Sequence, residues 1–144
     1  MASDLTTAPT PLSILETVLY AHDLGAIEEF YRRVLGLEPF ASSENRHVFY
    51  RCGHQMLLIF NPDATRRPHA AGALPVPPHG MEGHGHVCFR TSAEGIADWR
   101  AKLMALGVEI ESDFSWPNGG RSIYFRDPAG NCLEFAEPRI WGLS

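Results

Sequence analysis

No stretch of this sequence approaches the roughly 20 consecutive apolar residues that a bilayer-spanning helix requires. Positive charge is also short: 12 Lys and Arg stand against 17 Asp and Glu, giving a formal net charge of −5. The first absence excludes a hydrophobic membrane span. The second argues against nucleic acid as a partner, because phosphate binding needs clustered cations and the only adjacent basic pairs are Arg32-Arg33 and Arg66-Arg67. Cysteine is scarce. Cys52, Cys88 and Cys132 are an odd count at wide spacing with no Cys-x-x-Cys, so no disulfide framework can be read. They are expected to behave as small hydrophobes in a reducing, cytoplasmic setting. The first eleven residues lack the basic and apolar regions of a signal peptide, and residues 1–11 are read as a short flexible tail.

What is present is an internal repeat. The 144 residues, 44% hydrophobic and 20% charged, have the size and composition of one globular domain. Within them, Ile14 to Phe40 and Gly85 to Glu111 each read as a short strand followed by a helix ending in Leu-Gly-apolar. Leu24, Ile27, Tyr31, Val34 and Leu35 give the first helix one apolar face, and Ile96, Trp99, Leu103 and Leu106 do the same for the second. Asp23 is the expected N-cap of the first, and Thr91 with Glu94 forms a capping-box pattern for the second. Gly36 and Gly107 fall where a left-handed C-cap favours glycine.

Strands ending in a hairpin follow each helix. Setting Phe49-Tyr50-Arg51 on Tyr124-Phe125-Arg126 places Phe60 on Phe135 without a gap, and Ile59 on Glu134. Each half is therefore β-α-β-β-β, and the expected class is α+β: two paired modules forming a cupped mixed sheet with helices outside. Module one is assigned to residues 12–61, the linker to 62–82, module two to 83–138 and a C-terminal tail to 139–144. The linker carries Pro62, Pro68, Pro75, Pro77 and Pro78, so it is expected to be extended and non-helical. It has the character of a lid. His69 and His79 within it are expected to be solvated, and His22 and His54 to be ordinary loop or turn residues.

Three polar residues interrupt strand faces that are otherwise largely apolar: Glu16 among Ile14, Val18 and Tyr20, His86 between His84 and Cys88, and Glu134 between Cys132 and Ala136. Each alone reads as a solvent-facing or satisfied polar residue. Glu16 and His86, however, occupy equivalent places in the repeats, and His86 and Glu134 begin and end the second one. Together they form a mixed N/O set suited to one divalent ion (Mn, Fe, Co, Ni or Zn). Within a module the first and last strands are expected to run parallel, with His86 opposite Glu134 and Cys88 about 13 Å from Cys132.

The run Glu16, Asp23-Leu24, Phe30-Tyr31 and Leu35-Gly36-Leu37 resembles the opening of vicinal oxygen chelate proteins, the glyoxalase, bleomycin-resistance and extradiol dioxygenase superfamily. Gly85-His86-Val87-x-Phe89 resembles the strand that opens their second module. Tyr124-Phe125-x-Asp127-Pro128-x-Gly130-Asn131-x-x-Glu134 resembles their closing hairpin. The resemblance implies a homodimer and one metal held by Glu16, His86 and Glu134. Where glyoxalase I enzymes carry a fourth ligand, the gapless repeat puts Ile59, so open positions are expected. The set of one His and two carboxylates also differs from the two-His set of extradiol dioxygenases. The reading is a metal-dependent enzyme acting on a small substrate chelated through adjacent oxygens, by lyase, isomerase or dioxygenase chemistry. Glu16 and Glu134 serve as catalytic carboxylates, and Arg121, His84 and Tyr124 as substrate-binding residues. The alternative is a metal-free drug-binding protein of the bleomycin-resistance kind.

Overall fold

The computed structural model describes residues 9–144, so most of the N-terminal tail assigned to 1–11 lies outside the described residues. Two four-stranded mixed sheets make up the fold. In the first, β1 (Glu16–Tyr20), β2 (Pro39–Ser43), β3 (His47–Cys52) and β4 (Gln55–Phe60) lie in the order β1-β4-β3-β2. In the second, β5 (His86–Arg90), β6 (Ser112–Ser115), β7 (Arg121–Arg126) and β8 (Cys132–Ala136) repeat that order as β5-β8-β7-β6. The first and last strands of each module are parallel and the other pairs antiparallel. Each module thus has the expected β-α-β-β-β order.

Helix α1 (Leu24–Phe30) begins where the Asp23 carboxylate accepts the Ala26 N–H, and it runs on as a π-helical turn over Tyr31–Leu35. Helix α3 (Ala93–Ala105) is capped by Ser92, whose Oγ accepts the Gly95 N–H, rather than by Thr91, one residue earlier. The capping-box pattern was therefore one residue out of phase. Gly36 and Gly107 close the two helices at φ of 69° and 71°, the left-handed region where a Cβ costs energy.

The linker departs from the extended, non-helical expectation at Pro62–Thr65, which form a single helical turn, α2. Asn61 caps it, and Pro62 occupies the first turn, where its missing N–H has no intrahelical partner to lose. Beyond the second sheet, Pro138–Trp141 form a 3-10 turn.

One core serves both modules. Leu19, Val48, Tyr50, Leu57 and Ile59 of the first sheet join Ile123, Phe125, Leu133 and Phe135 of the second around Ile27, Phe30, Tyr31, Ile96 and Leu103 of the helices. Helix α1 bridges the two sheets. Phe30 packs on Phe125, while Tyr31 stacks on Tyr50 and donates its hydroxyl proton to Asp127 at 2.8 Å. Asp127 in turn accepts the backbone N–H groups of Ala129 and Asn131, which shapes the β7–β8 hairpin. The helix-packed faces of the sheets are turned toward a common interior, and the opposite face of the first sheet carries linker residue His79 on Tyr20 and Phe60 at one end and the exposed Glu16 at the other.

Candidate functional site

Side-chain alternation puts His86 and Cys88 of β5, Ser122 and Tyr124 of β7, and Cys132 and Glu134 of β8 on the free face of the second sheet. Glu134 is only 5% exposed, a costly environment for a carboxylate without polar partners. Its Oε2 accepts the Ser122 hydroxyl at 2.6 Å, and its Oε1 lies 3.3 Å from His86 Nε2. His86 Nδ1 stands 2.8 Å from the carbonyl of Cys132. A carbonyl only accepts, so Nδ1 carries a proton and Nε2 is the ring atom turned toward Glu134. The gap between Nε2 and Oε1 can be filled by a proton on the ring, as an ion pair, or by a cation shared between two acceptors. Two donors each about 2.1 Å from one ion, at tetrahedral to octahedral angles, stand about 3.0–3.4 Å apart. The observed 3.3 Å fits that edge.

The strand register differs from the expected one by two residues. His86 pairs with Cys132, and Cys88 with Glu134. His86 and Glu134 meet diagonally rather than squarely. The cysteines are free, and Cys88 and Cys132 are offset by two positions along the strands rather than four.

Glu16 lies exposed on β1, on the free face of the first sheet. Within one chain it does not join His86 and Glu134. Among the described residues, the group of three whose ligand atoms lie within 4.8 Å of one another is His22, Asp63 and Glu82. In that group, Arg66 Nη2 already reaches Asp63 Oδ1 at 2.8 Å and Glu82 Oε1 at 2.5 Å. A guanidinium thus fills the place of a cation, and the cluster ties the linker to the end of β1. His22 is accordingly more than an ordinary loop residue. His79 is half-buried rather than solvated, with Nδ1 2.6 Å from the Tyr20 hydroxyl.

Ile59 does not border the site. It pairs with Leu19 and is fully buried in the common core, on the face opposite Glu16. Arg51 pairs with Met56 across Cys52-Gly53-His54-Gln55, whereas Arg126 pairs with Cys132 across Asp127 to Asn131, a turn longer by one residue. A slip of one residue exchanges the faces of a strand. The position equivalent to Glu134 is therefore Leu58, which pairs with Val18 as Glu134 pairs with Cys88. Leucine cannot ligate either.

Of the three substrate-binding candidates, Tyr124 lies at the site. Its ring stacks on His86 at 6.3 Å and on Phe114 at 5.9 Å. Burial first, and then the Glu134 carboxylate, push its phenol up to about 12. Desolvation, followed by the same carboxylate, also raises the Cys88 thiol to about 12, so it is not a thiolate nucleophile at neutral pH. Arg121 is engaged elsewhere, with Nε and Nη2 each 2.7 Å from the oxygens of Asp113 on β6. His84 lines a cleft of about 380 Å³ with Tyr20, His22 and Glu82, at the linker end of β5. Sequence reasoning missed Ser122 and Trp116. Ser122 is two residues from Tyr124 on the same strand face, and pairing the β7–β8 hairpin outward from its turn would have found it.

No helix among the described residues is long and apolar enough to cross a membrane. Residues 13–135 match the family described as the Glyoxalase/Bleomycin resistance protein/Dioxygenase superfamily. The crystal structure of a lactoylglutathione lyase from Agrobacterium tumefaciens is 44% identical in sequence, covers 94% of this chain and 100% of that one, and superposes with a TM-score of 0.87. A glyoxalase/bleomycin resistance protein/dioxygenase from Nocardioides is 25% identical at a TM-score of 0.70, over 92% of this chain and 87% of its own. A virulence protein of Salmonella typhimurium is 29% identical over 129 residues, 83% of this chain and 80% of that protein.

Proposed function

The chain belongs to the glyoxalase/bleomycin resistance protein/dioxygenase superfamily, and from that premise we propose that it is a metal-dependent lyase or isomerase acting on a small substrate that chelates through two adjacent oxygens. One observation carries the reading: His86 Nε2 and Glu134 Oε1 face each other at 3.3 Å while His86 Nδ1 is held by the Cys132 carbonyl. The donor set of nitrogen and carboxylate oxygen suits a borderline divalent ion such as Zn, Co, Ni, Fe or Mn. A bound ion there supplies Lewis-acid polarisation of the substrate's oxygens. The 44% identical relative that carries the name lactoylglutathione lyase supports lyase chemistry over dioxygenase chemistry.

The chain's own residues divide the remaining work. Glu134, buried and hydrogen-bonded, holds one edge of the site. Leu58, at the position equivalent to Glu134 in the other module, offers no donor and leaves room for substrate. The Tyr124 phenol, raised to about 12, stays protonated at neutral pH and can donate a hydrogen bond to a substrate oxygen. Glu16, exposed on its strand, serves as third ligand and as proton acceptor when displaced.

Glu16 reaches the site from a second copy of the chain. The helix-packed faces of the two sheets share one interior, so the free face bearing Glu16 and the free face bearing His86 and Glu134 belong to different surfaces of one chain. Val18 and Phe40 beside the first, and Phe114 and Trp116 beside the second, are apolar and at least 36% exposed. A homodimer that sets the first-sheet face of one copy against the second-sheet face of the other covers both and completes two equivalent sites.

Elemental analysis of protein purified without chelator tests the proposal. Wild type should hold one divalent ion per chain, and His86→Ala and Glu134→Ala should hold almost none. A proton on Nε2 fills the 3.3 Å gap as an ion pair, and a His86→Ala protein with wild-type metal content would establish that simpler role and end the metal reading. Wild type that binds no metal but retains a drug would support sequestration instead.

A further inference from the structure

Ser122 and Trp116 extend the site by two hydrogen bonds with a fixed direction. Trp116 Nε1 lies 2.8 Å from Ser122 Oγ, and Ser122 Oγ lies 2.6 Å from Glu134 Oε2. An indole N–H can only donate, so Ser122 accepts from Trp116. The single hydroxyl proton of Ser122 then goes to Glu134. The bond is sealed from water, because Ser122 has no exposed surface. Nothing in core packing requires a serine and a carboxylate there, and the equivalent β4 position carries Leu58.

The donor at the head of this chain is held in place before any ligand arrives. Trp116 starts a tight loop in which its own N–H donates to the Gly120 carbonyl at 2.8 Å and its carbonyl accepts the Gly119 N–H at 3.0 Å. Its ring rests edge-on against Phe114 at 4.8 Å, Phe114 stacks on Tyr124, and Tyr124 on His86. At the other end of the loop, the Arg121 N–H donates to Glu137 Oε2 at 2.8 Å.

We propose that Ser122 and, through it, Trp116 are positioning residues for Glu134. They engage Oε2 so that the carboxylate presents a single oxygen, Oε1, to the cation it shares with His86. The role rests on the metal reading above and adds two consequences. Glu134 binds through one oxygen rather than chelating through two, which keeps an additional coordination position for substrate. The loop Trp116 to Gly120 also becomes coupled to the site although it contributes no ligand. Outer-shell partners of this kind commonly control metal affinity about 10–100-fold.

Cobalt titration of the full-length protein, followed by visible absorption, tests this with four variants. Ser122→Ala should bind cobalt about 10–100-fold more weakly. Its spectrum should also shift toward a higher coordination number, because the freed Oε2 can close onto the ion. Ser122→Thr, which keeps the hydroxyl, should restore both affinity and spectrum. Trp116→Phe, which keeps a ring but loses the N–H, should weaken binding less than Ser122→Ala. Thermal unfolding of each variant confirms that folding is intact. If Ser122→Ala and Trp116→Phe match wild type in affinity and spectrum while His86→Ala has lost its cobalt, the positioning role is overturned and the metal reading stands. If His86→Ala keeps its cobalt, the metal reading has failed and the positioning role falls with it.

Discussion

His86 and Cys132 stand opposite each other on β5 and β8, and the backbone carbonyl of Cys132 accepts a hydrogen bond from His86 Nδ1 at 2.8 Å. Because a main-chain atom makes this bond, no substitution at position 132 other than one that moves the strand can remove it. The ring is therefore oriented by the sheet itself.

Nitrogen-15 spectra of the imidazole should bear this out. Neutral His86 should carry its proton on Nδ1, and added zinc should shift the Nε2 resonance while leaving Nδ1 protonated. A ring found protonated on Nε2 in the zinc-loaded protein would rule out the assigned ligand atom.

Subunit mixing tests where Glu16 acts. Glu16→Ala and His86→Ala chains should each bind little metal alone. Co-expressed and randomly paired, they should recover about a quarter of the wild-type sites, since each heterodimer then holds one site built wholly from intact residues. No recovery in a preparation shown to contain heterodimers would place all three ligands within one chain.

The Tyr31–Asp127 bond links helix α1 of the first module to the hairpin of the second. Tyr31→Phe deletes a buried hydrogen bond to a carboxylate and should cost about 1.5–3 kcal/mol in urea unfolding. A loss below about 0.5 kcal/mol, the usual range for inconsequential surface changes, would show that the hydroxyl contributes nothing to the union of the modules.

The sequence was most legible where a residue type answers a local backbone need. Asp23 at the helix start and Gly36 and Gly107 at the helix ends depend on a few neighbouring atoms, and all three stand as expected. It was least legible where the outcome turns on pairing. Nothing in the text of the two hairpins says that one turns in fewer residues than the other, yet that single residue sends Ile59 inward and Leu58 outward. Arg121 reads as a substrate-binding residue, and nothing in its own neighbourhood says that Asp113, eight residues away on β6, comes beside it. Of the candidate site, His86 and Glu134 come together in the chain, whereas Glu16 stands exposed on another sheet.

The linker should respond to pH. The hydrogen bond that His22 donates to Glu82 is the chief cause that raises the His22 pKa above its ordinary value, with charge interactions from Glu82 and Asp63 acting the same way against desolvation. Glu82 is lowered, chiefly by its bond to His22, and stays ionised. The pairing is therefore complete below the ordinary His value of about 6.5 and is lost as pH rises through the higher folded value. Amide exchange over residues 66–82, corrected for intrinsic base catalysis, should be slower at about pH 5.5 than at about pH 8. Glu82→Gln should remove most of the difference, and a wild-type linker equally protected at both values would show that His22 does not anchor it.

The common core has a consequence for how the molecule comes apart. Phe30 and Tyr31 of the first repeat are buried against Phe125 and the Asp127 hairpin of the second, so neither repeat owns a complete interior. Cut within the exposed linker, between residues 70 and 73, the chain should give two fragments that stay largely unstructured when separate and regain helical and sheet signals on mixing. The intact protein, for the same reason, should melt in one cooperative step despite its duplicated plan. The pattern is written twice, but the interior is single.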